Sequence, residues 1–302
     1  MMWKELLQDI QKANTKSLAR AISLVENEVE GYEWLLQNLP VSSAKITGIT
    51  GPPGAGKSTL TDALIGEIVA QNKKVGILCI DPSSPFNLGA LLGDRIRMSE
   101  WYNHPNVFIR SLATRGSLGG LHPKIMEIAD LMKTAGFDHI IIETVGVGQS
   151  EIEIAGLADT TVVVVVPEGG DEVQTMKAGL MEIADVFVVN KADRPDADTF
   201  VKNLRLMLAP AFSRSANEIP VVKTIASQKE GVKELFEKIE VHNSLLQEND
   251  KRYWLLAEKA FHLIQQDRMK DINKAELKKQ LEESNDMNLY KFIERYISRK
   301  GA

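Results

Sequence analysis

A single cysteine, Cys79, stands in the whole sequence, and it lies inside an apolar run. No disulfide framework and no paired-cysteine metal site is possible within the chain, so a reducing, cytoplasmic setting is expected. Histidine is sparse too. His104, His122, His139, His242 and His262 are scattered, without the i, i+4 pair that would suit zinc on a helix, and they read as ordinary surface or core residues. Excess positive charge is missing: 36 Lys+Arg against 41 Asp+Glu leave a net charge of -5. Nothing global draws this chain to nucleic acid or to an anionic membrane, and an anionic ligand has to be held locally. Long apolar runs are also absent. The stretch at 162–167 is far below the roughly 20 residues that a bilayer requires, and the charged opening MMWKELLQDIQKANTKSLAR lacks a signal-peptide core.

What is present is an ordinary globular composition, 302 residues of which 44% are hydrophobic and 25% charged. Up to about residue 40 the apolar positions, among them Leu18, Ile22 and Val25, recur at helical spacing. From 45 to about 226 the pattern changes to short β-branched runs: KITGIT, KVGILCI, VFIR, HIIIET, TVVVVV, VFVVN and PVVKTI. They do not alternate with polar residues, as expected of strands buried on both faces beneath crossover helices. The intervening segments 59–71 and 117–135 are long enough for such helices. The expected fold is α/β, a doubly wound, mostly parallel sheet with helical extensions at both ends. The expected division is 1–40, an N-terminal helical extension; 41–240, the nucleotide domain; and 241–302, a C-terminal helical arm. In that arm Trp254, Ala257, Phe261 and Ile264, then Leu289, Phe292, Ile293, Tyr296 and Ile297, recur at spacings of three and four. These stripes pack on the domain or face another subunit.

The run Gly51-Pro52-Pro53-Gly54-Ala55-Gly56-Lys57-Ser58 fits G-x-x-x-x-G-K-[ST] between a strand and a helix. Glycines let the backbone close around an anion with its N–H groups inward, and the helix N-terminus adds favourable partial charge. Lys57 is then expected on the β- and γ-phosphates, Ser58 on Mg²⁺ and Thr59 at the α-phosphate. In an open α/β sheet the metal's carboxylates belong at the C-terminal ends of neighbouring strands. Asp81 and Glu143 end two such runs, and Asp94 follows in NLGALLGDRIRM. Mg²⁺ keeps several waters, so some of the three act through water; each alone also reads as a solvated acid. Gly146, in ETVG, is placed to offer its N–H to the γ-phosphate.

VFVVN leads into Asn190-Lys191-Ala192-Asp193, an N-K-x-D pattern. A carboxylate at 193 accepts from the guanine N1–H and exocyclic amine, a donor pair that adenine does not offer, which predicts GTP over ATP. PVVKTI ends at Ala226 and Ser227, whose backbone is placed to meet the guanine O6. Many regulatory GTPases have a water-orienting glutamine after the glycine that senses the γ-phosphate. Val147 stands there, predicting slow intrinsic hydrolysis completed when another surface orders the loops. Gln149, Arg115 and Lys177 are candidates for that completion, with a polar surface role as the alternative for each.

Through the phosphate loop, DPSSP, LGDRIRM, TRGSLGG, ETVGVGQSE and NKAD, the chain resembles the MeaB/ArgK family, GTPase chaperones of adenosylcobalamin-dependent acyl-CoA mutases. The resemblance is strong over 45–235 and looser in the helical extensions. It implies a homodimer assembled through the C-terminal arm, and a methylmalonyl-CoA mutase or close relative whose cofactor loading and protection are gated by GTP. It also implies that Lys57 and Ser58 serve phosphate and magnesium, that Asp81, Asp94 and Glu143 are metal-site acids, and that Asn190, Lys191 and Asp193 read guanine. In PEGGDEVQTMKAG it implies that Asp171, Gln174 and Lys177 belong to a segment that the mutase reorganises toward the nucleotide. The sequence departs from the family's usual wording at Glu168 and Gly169 and in FNLGALLGDRIRM. Three rival activities are a small-molecule kinase, a GTPase delivering nickel or another metal, and a binding module that never turns nucleotide over. The guanine-reading pattern disfavours the first, and the shortage of cysteine and histidine clusters disfavours the second.

Overall fold

A computed structural model describes residues 2–81, 98–115, 121–146, 153–167, 178–212, 219–245, 251–283 and 288–297. Seven strands, β1 (Lys45–Thr50), β2 (Val75–Asp81), β3 (Val107–Ala113), β4 (His139–Glu143), β5 (Thr160–Val165), β6 (Val186–Asn190) and β7 (Val221–Thr224), form one sheet in the order β3-β2-β4-β1-β5-β6-β7. Every pairing is parallel. β1 lies between β4 and β5, so the chain winds outward on both sides of it, and the cleft at its carboxyl end is where open sheets of this kind bind ligands. The apolar runs of the sequence map onto these strands within a few residues at each end.

Both faces are covered, which explains the missing polar alternation. Val162 and Val164 point to one side, with α4 (Lys57–Ala70) and α8 (Val232–Leu245), while Val163 and Val165 point to the other, with α6 (Ala178–Ile183) and α7 (Ala197–Phe212). Further along that second side lie α5 (Ile125–Lys133) and three N-terminal helices, α1 (Met2–Gln11), α2 (Thr15–Glu26) and α3 (Tyr32–Gln37). Asn14 caps α2 by accepting from the N–H groups of Lys16 and Ser17 at 3.0 and 3.1 Å. Leu18, Ile22 and Val25 are fully buried in one cluster with Leu78, Ile80 and Leu112 of the sheet, each burial contributing roughly 1.5–3 kcal/mol. The N-terminal helices are therefore part of the sheet's cover.

The chain divides into two compact units, Met1–Leu255 and Leu256–Ala302. The sheet belongs to the first. The second holds most of α9 (Lys251–Met269), together with α10 (Lys274–Glu283) and α11 (Leu289–Ile297), and inside it Phe292 is buried against Tyr296, whose hydroxyl donates to Gln280. No helix among the described residues is long and apolar enough to cross a membrane.

Candidate functional site

Beyond β1 the chain turns through the glycine-rich run into α4, and Gly56, with φ of 89°, caps that helix. A side chain there would meet the Asn190 amide nitrogen at 2.3 Å, so glycine is required both by the backbone conformation and by the close approach. A cleft of about 450 Å³ opens above the loop, lined among others by Gly54, Lys57, Thr59, Glu143 and Lys191. Pro53, Gly56 and Ser58 also line it. That volume lies within the usual range for small-ligand sites.

Lys57 is buried, and its ammonium donates to the Gly51 and Pro52 carbonyls at 2.9 and 3.1 Å. Gly146, with φ of 85°, lies against the same group: a Cβ on it would stand 2.4 Å from both Gly51 O and Lys57 Nζ. The second loop thus reaches the first at a glycine. Thr144, next to Glu143, is fixed to β1 through its N–H to Ile49 O at 3.0 Å and through a buried hydroxyl contact with Thr50 at 2.9 Å.

Glu143 ends β4 between β1 and β2 and is buried. Its carboxylate accepts from Ser58 Oγ at 2.6 Å and from Thr61 Oγ1 at 3.0 Å. A carboxylate buried this deeply is tolerable only when hydrogen-bonded, and α4 supplies both hydroxyls. Asp81, also buried, ends the adjacent strand β2. Hydroxyl and carboxylate oxygens converging beside an anion-cradling loop form a hard donor set that suits Mg²⁺. Among the described residues no group of three His, Cys, Asp or Glu side chains could hold a metal by itself. Asp94, Gln174 and Lys177 lie outside the described residues, as do Val147, Gln149 and Asp171.

Asn190 joins three loops. Its amide nitrogen donates to the Ala55 carbonyl at 2.9 Å, while its amide oxygen accepts from Thr224 Oγ1 and from the Ala226 N–H, each at 3.1 Å. Lys191 adopts a left-handed φ of 57° and donates to the Gly54 carbonyl at 2.8 Å. Asp193 is exposed just beyond it. The Ala226 N–H, expected at the guanine O6, is engaged by Asn190 here, whereas Ser227 is exposed on the same short turn. The N-K-x-D pattern marks Asn190 as a base reader but does not reveal its bracing contacts, because the partner at Ala55 is 135 residues away.

Arg115 does not line the cleft. Its guanidinium donates to the Glu26 carbonyl at 2.9 Å and to the Glu26 carboxylate and Asn27 side chain at 3.1 Å, with the Arg110–Glu26 pair alongside at 3.1 Å. His122 completes this group, 3.7 Å from Glu26. Burial, assisted by the charges of Arg115 and Lys124 and opposed by Glu26, lowers its pKa to about 4. Thr61 and Glu26 were both missed in the sequence. Thr61 does carry a legible signal, since it stands three residues after Ser58 and so on the same face of α4.

Comparison with known proteins agrees with this geometry. The family model for methylmalonyl Co-A mutase-associated GTPase MeaB matches residues 18–281. A Pyrococcus horikoshii protein with a provisional GTPase name is 48% identical over 260 residues, covering 84% of this chain and 81% of that protein. The GTPase ArgK of Escherichia coli is 38% identical over 195 residues, 63% of this chain and 59% of ArgK. A fused isobutyryl-CoA mutase of Geobacillus kaustophilus is 37% identical over 237 residues, 74% of this chain but only 22% of the fused protein. Among solved structures, a LAO/AO transport system kinase matches with a TM-score of 0.67 at 23% identity, over 99% of this chain and 98% of that one, a likeness of fold.

Proposed function

The chain belongs to the family of methylmalonyl Co-A mutase-associated GTPases and is itself a GTPase, and from that premise we propose that it serves an adenosylcobalamin-dependent acyl-CoA mutase as a Mg²⁺-dependent timing switch. The observation that carries the partner is the fused isobutyryl-CoA mutase, in which a segment resembling this chain occupies part of a mutase polypeptide. Fusion places the two activities at high effective concentration, an arrangement that suits proteins working on each other. Which acyl-CoA the partner rearranges is left to the partner.

In this reading Gly51, Pro53, Gly54, Ala55, Gly56, Lys57, Ser58 and Thr59 hold the phosphates, with Gly146 at the terminal one. Asp193, Lys191 and Ser227 meet the guanine, and Asn190 keeps their loops in register with the phosphate loop. Ser58, Asp81, Glu143 and Asp94 hold Mg²⁺, which when bound neutralises charge developing between the β- and γ-phosphates. The chain's own contribution is positioning and fixed charge, chiefly from Lys57 and the inward N–H groups. Gln174 and Lys177 complete the site when the mutase engages. The arm at 241–302 joins two copies in a homodimer, and the protein works in the cytoplasm.

The test is loading of adenosylcobalamin into the apo-mutase. Loading that proceeds with GTP and stalls with a non-hydrolysable GTP analogue is the expected result. Equal loading with either nucleotide, or without the protein, would remove the gating role and leave a GTPase of other purpose.

A further inference from the structure

Two of the groups that hold Glu143 are hydroxyls, and of these that of Ser58 belongs to the phosphate motif while that of Thr61 does not. Ser58 and Thr61 are three residues apart on α4, so their side chains rise on one face and close on the two oxygens of one carboxylate, at 2.6 Å on Oε1 and 3.0 Å on Oε2. Thr61 is fully buried and Glu143 nearly so. We propose that Thr61 is the positioning residue that aims the Glu143 carboxylate at the Mg²⁺ site, holding Oε2 so that Oε1 faces Ser58 and the metal side. The proposal rests on the reading of Glu143 as a metal-site acid.

The physical reason lies in the demands on Ser58. A hydroxyl that donates to Glu143 at 2.6 Å must also turn an oxygen lone pair to a metal when one binds, so its direction is set by two partners at once. Thr61 has no such second duty toward the ligand. In a helix a threonine χ1 divides between two rotamers, and the approach of the hydroxyl to the Lys57 carbonyl at 3.0 Å goes with the one that also reaches Glu143. Glutamate has one more rotatable bond than aspartate, and a second anchor removes that freedom. Outer partners that orient metal-binding carboxylates typically cost 10–100-fold in metal affinity or activity when they are removed.

Thr61 Oγ1 also lies 3.0 Å from the Lys57 carbonyl, the back-bond of many helical threonines, so its one proton is shared between that carbonyl and Glu143 Oε2. A purely structural role through that bond would alter stability without altering the response to Mg²⁺. The distinguishing measurement is the Mg²⁺ concentration needed to slow release of a fluorescent GDP, read beside GTP turnover across a Mg²⁺ titration. Thr61→Val keeps the branched shape and removes the hydroxyl; Thr61→Ser restores it. In Thr61→Val the Mg²⁺ midpoint for GDP retention is expected to rise at least about tenfold, with KM for GTP at saturating Mg²⁺ within about twofold, and Thr61→Ser is expected to recover most of the loss. Thr61→Ala carries the same comparison should the valine variant fail to fold. An unchanged midpoint in the hydroxyl-free variant overturns the proposal, as does a serine variant as impaired as valine. Wild-type GDP release and turnover indifferent to Mg²⁺ would instead overturn the metal reading of Glu143, and the role of Thr61 with it.

Discussion

In the proposed function a single residue, Asp193, decides which nucleotide is used. Its exposed carboxylate, the proposed acceptor pair for guanine, follows Asn190 and Lys191, which brace the start of the loop against the phosphate loop. Asp193→Asn replaces half of that acceptor pair with a donor. Guanine nucleotide affinity is expected to fall by at least about tenfold, in keeping with the roughly 1.5–3 kcal/mol of a charged hydrogen bond, while xanthine nucleotides gain. Competition binding against a fluorescent GDP checks this, and retained guanine preference would mean that another residue reads the base. A second residue-scale effect concerns acid. His122 titrates at about 4 in the folded chain against 6.5 when exposed, chiefly because it is buried. The unfolded chain therefore binds the proton first. Stability should be fully present above pH 6.5 and decline as pH falls from there toward 4, by about 3 kcal/mol in all. Denaturant unfolding measured from pH 7 to 4 should show a shallower acid decline in His122→Gln than in the wild type.

At the scale of elements, the strands were legible because parallel strands covered on both faces leave uninterrupted β-branched runs, as Val162 to Val165 do by facing opposite sides in turn. The phosphate loop was legible for a different reason: its chemistry is local, a few consecutive residues between one strand and one helix. What escaped were contacts between elements far apart in sequence. Glu26, at the end of α2, gathers Arg110 and Arg115 from more than 80 residues downstream, and no pattern of spacing announces such a pair. Arg115, weighed in the sequence as an aid to hydrolysis, is thereby occupied with the N-terminal helices. The arm shows the converse. The stripe on α9 was visible in the sequence, and Phe261 and Ile264 remain 67% and 53% exposed, so their partner was open to question from the start. If that stripe joins two copies, the double variant Phe261→Ser, Ile264→Ser should shift the protein from dimer to monomer in light scattering while leaving GDP binding within about twofold, in line with interfaces that depend on a few large apolar anchors. A dimer that survives the change places the contact elsewhere.

For the whole molecule, the elements of the proposed site meet on one sheet. The sheet and its covering helices hold the phosphate loop, Glu143 and Asn190 together by buried hydrogen bonds. The remaining candidates, Asp94, Gln174 and Lys177, lie outside the described residues. In the proposed switch the mutase changes the rate through its differential affinity for two arrangements of the site. The measurement that tests this account most directly is GTP turnover by the purified protein, alone and with an adenosylcobalamin-dependent acyl-CoA mutase, with Lys57→Ala as the blank. Slow turnover alone, acceleration of at least about tenfold by the mutase, and none in the Lys57→Ala protein are the predicted results. Turnover that is the same with and without each of several such mutases would contradict the switch, and turnover that survives Lys57→Ala would contradict the site itself.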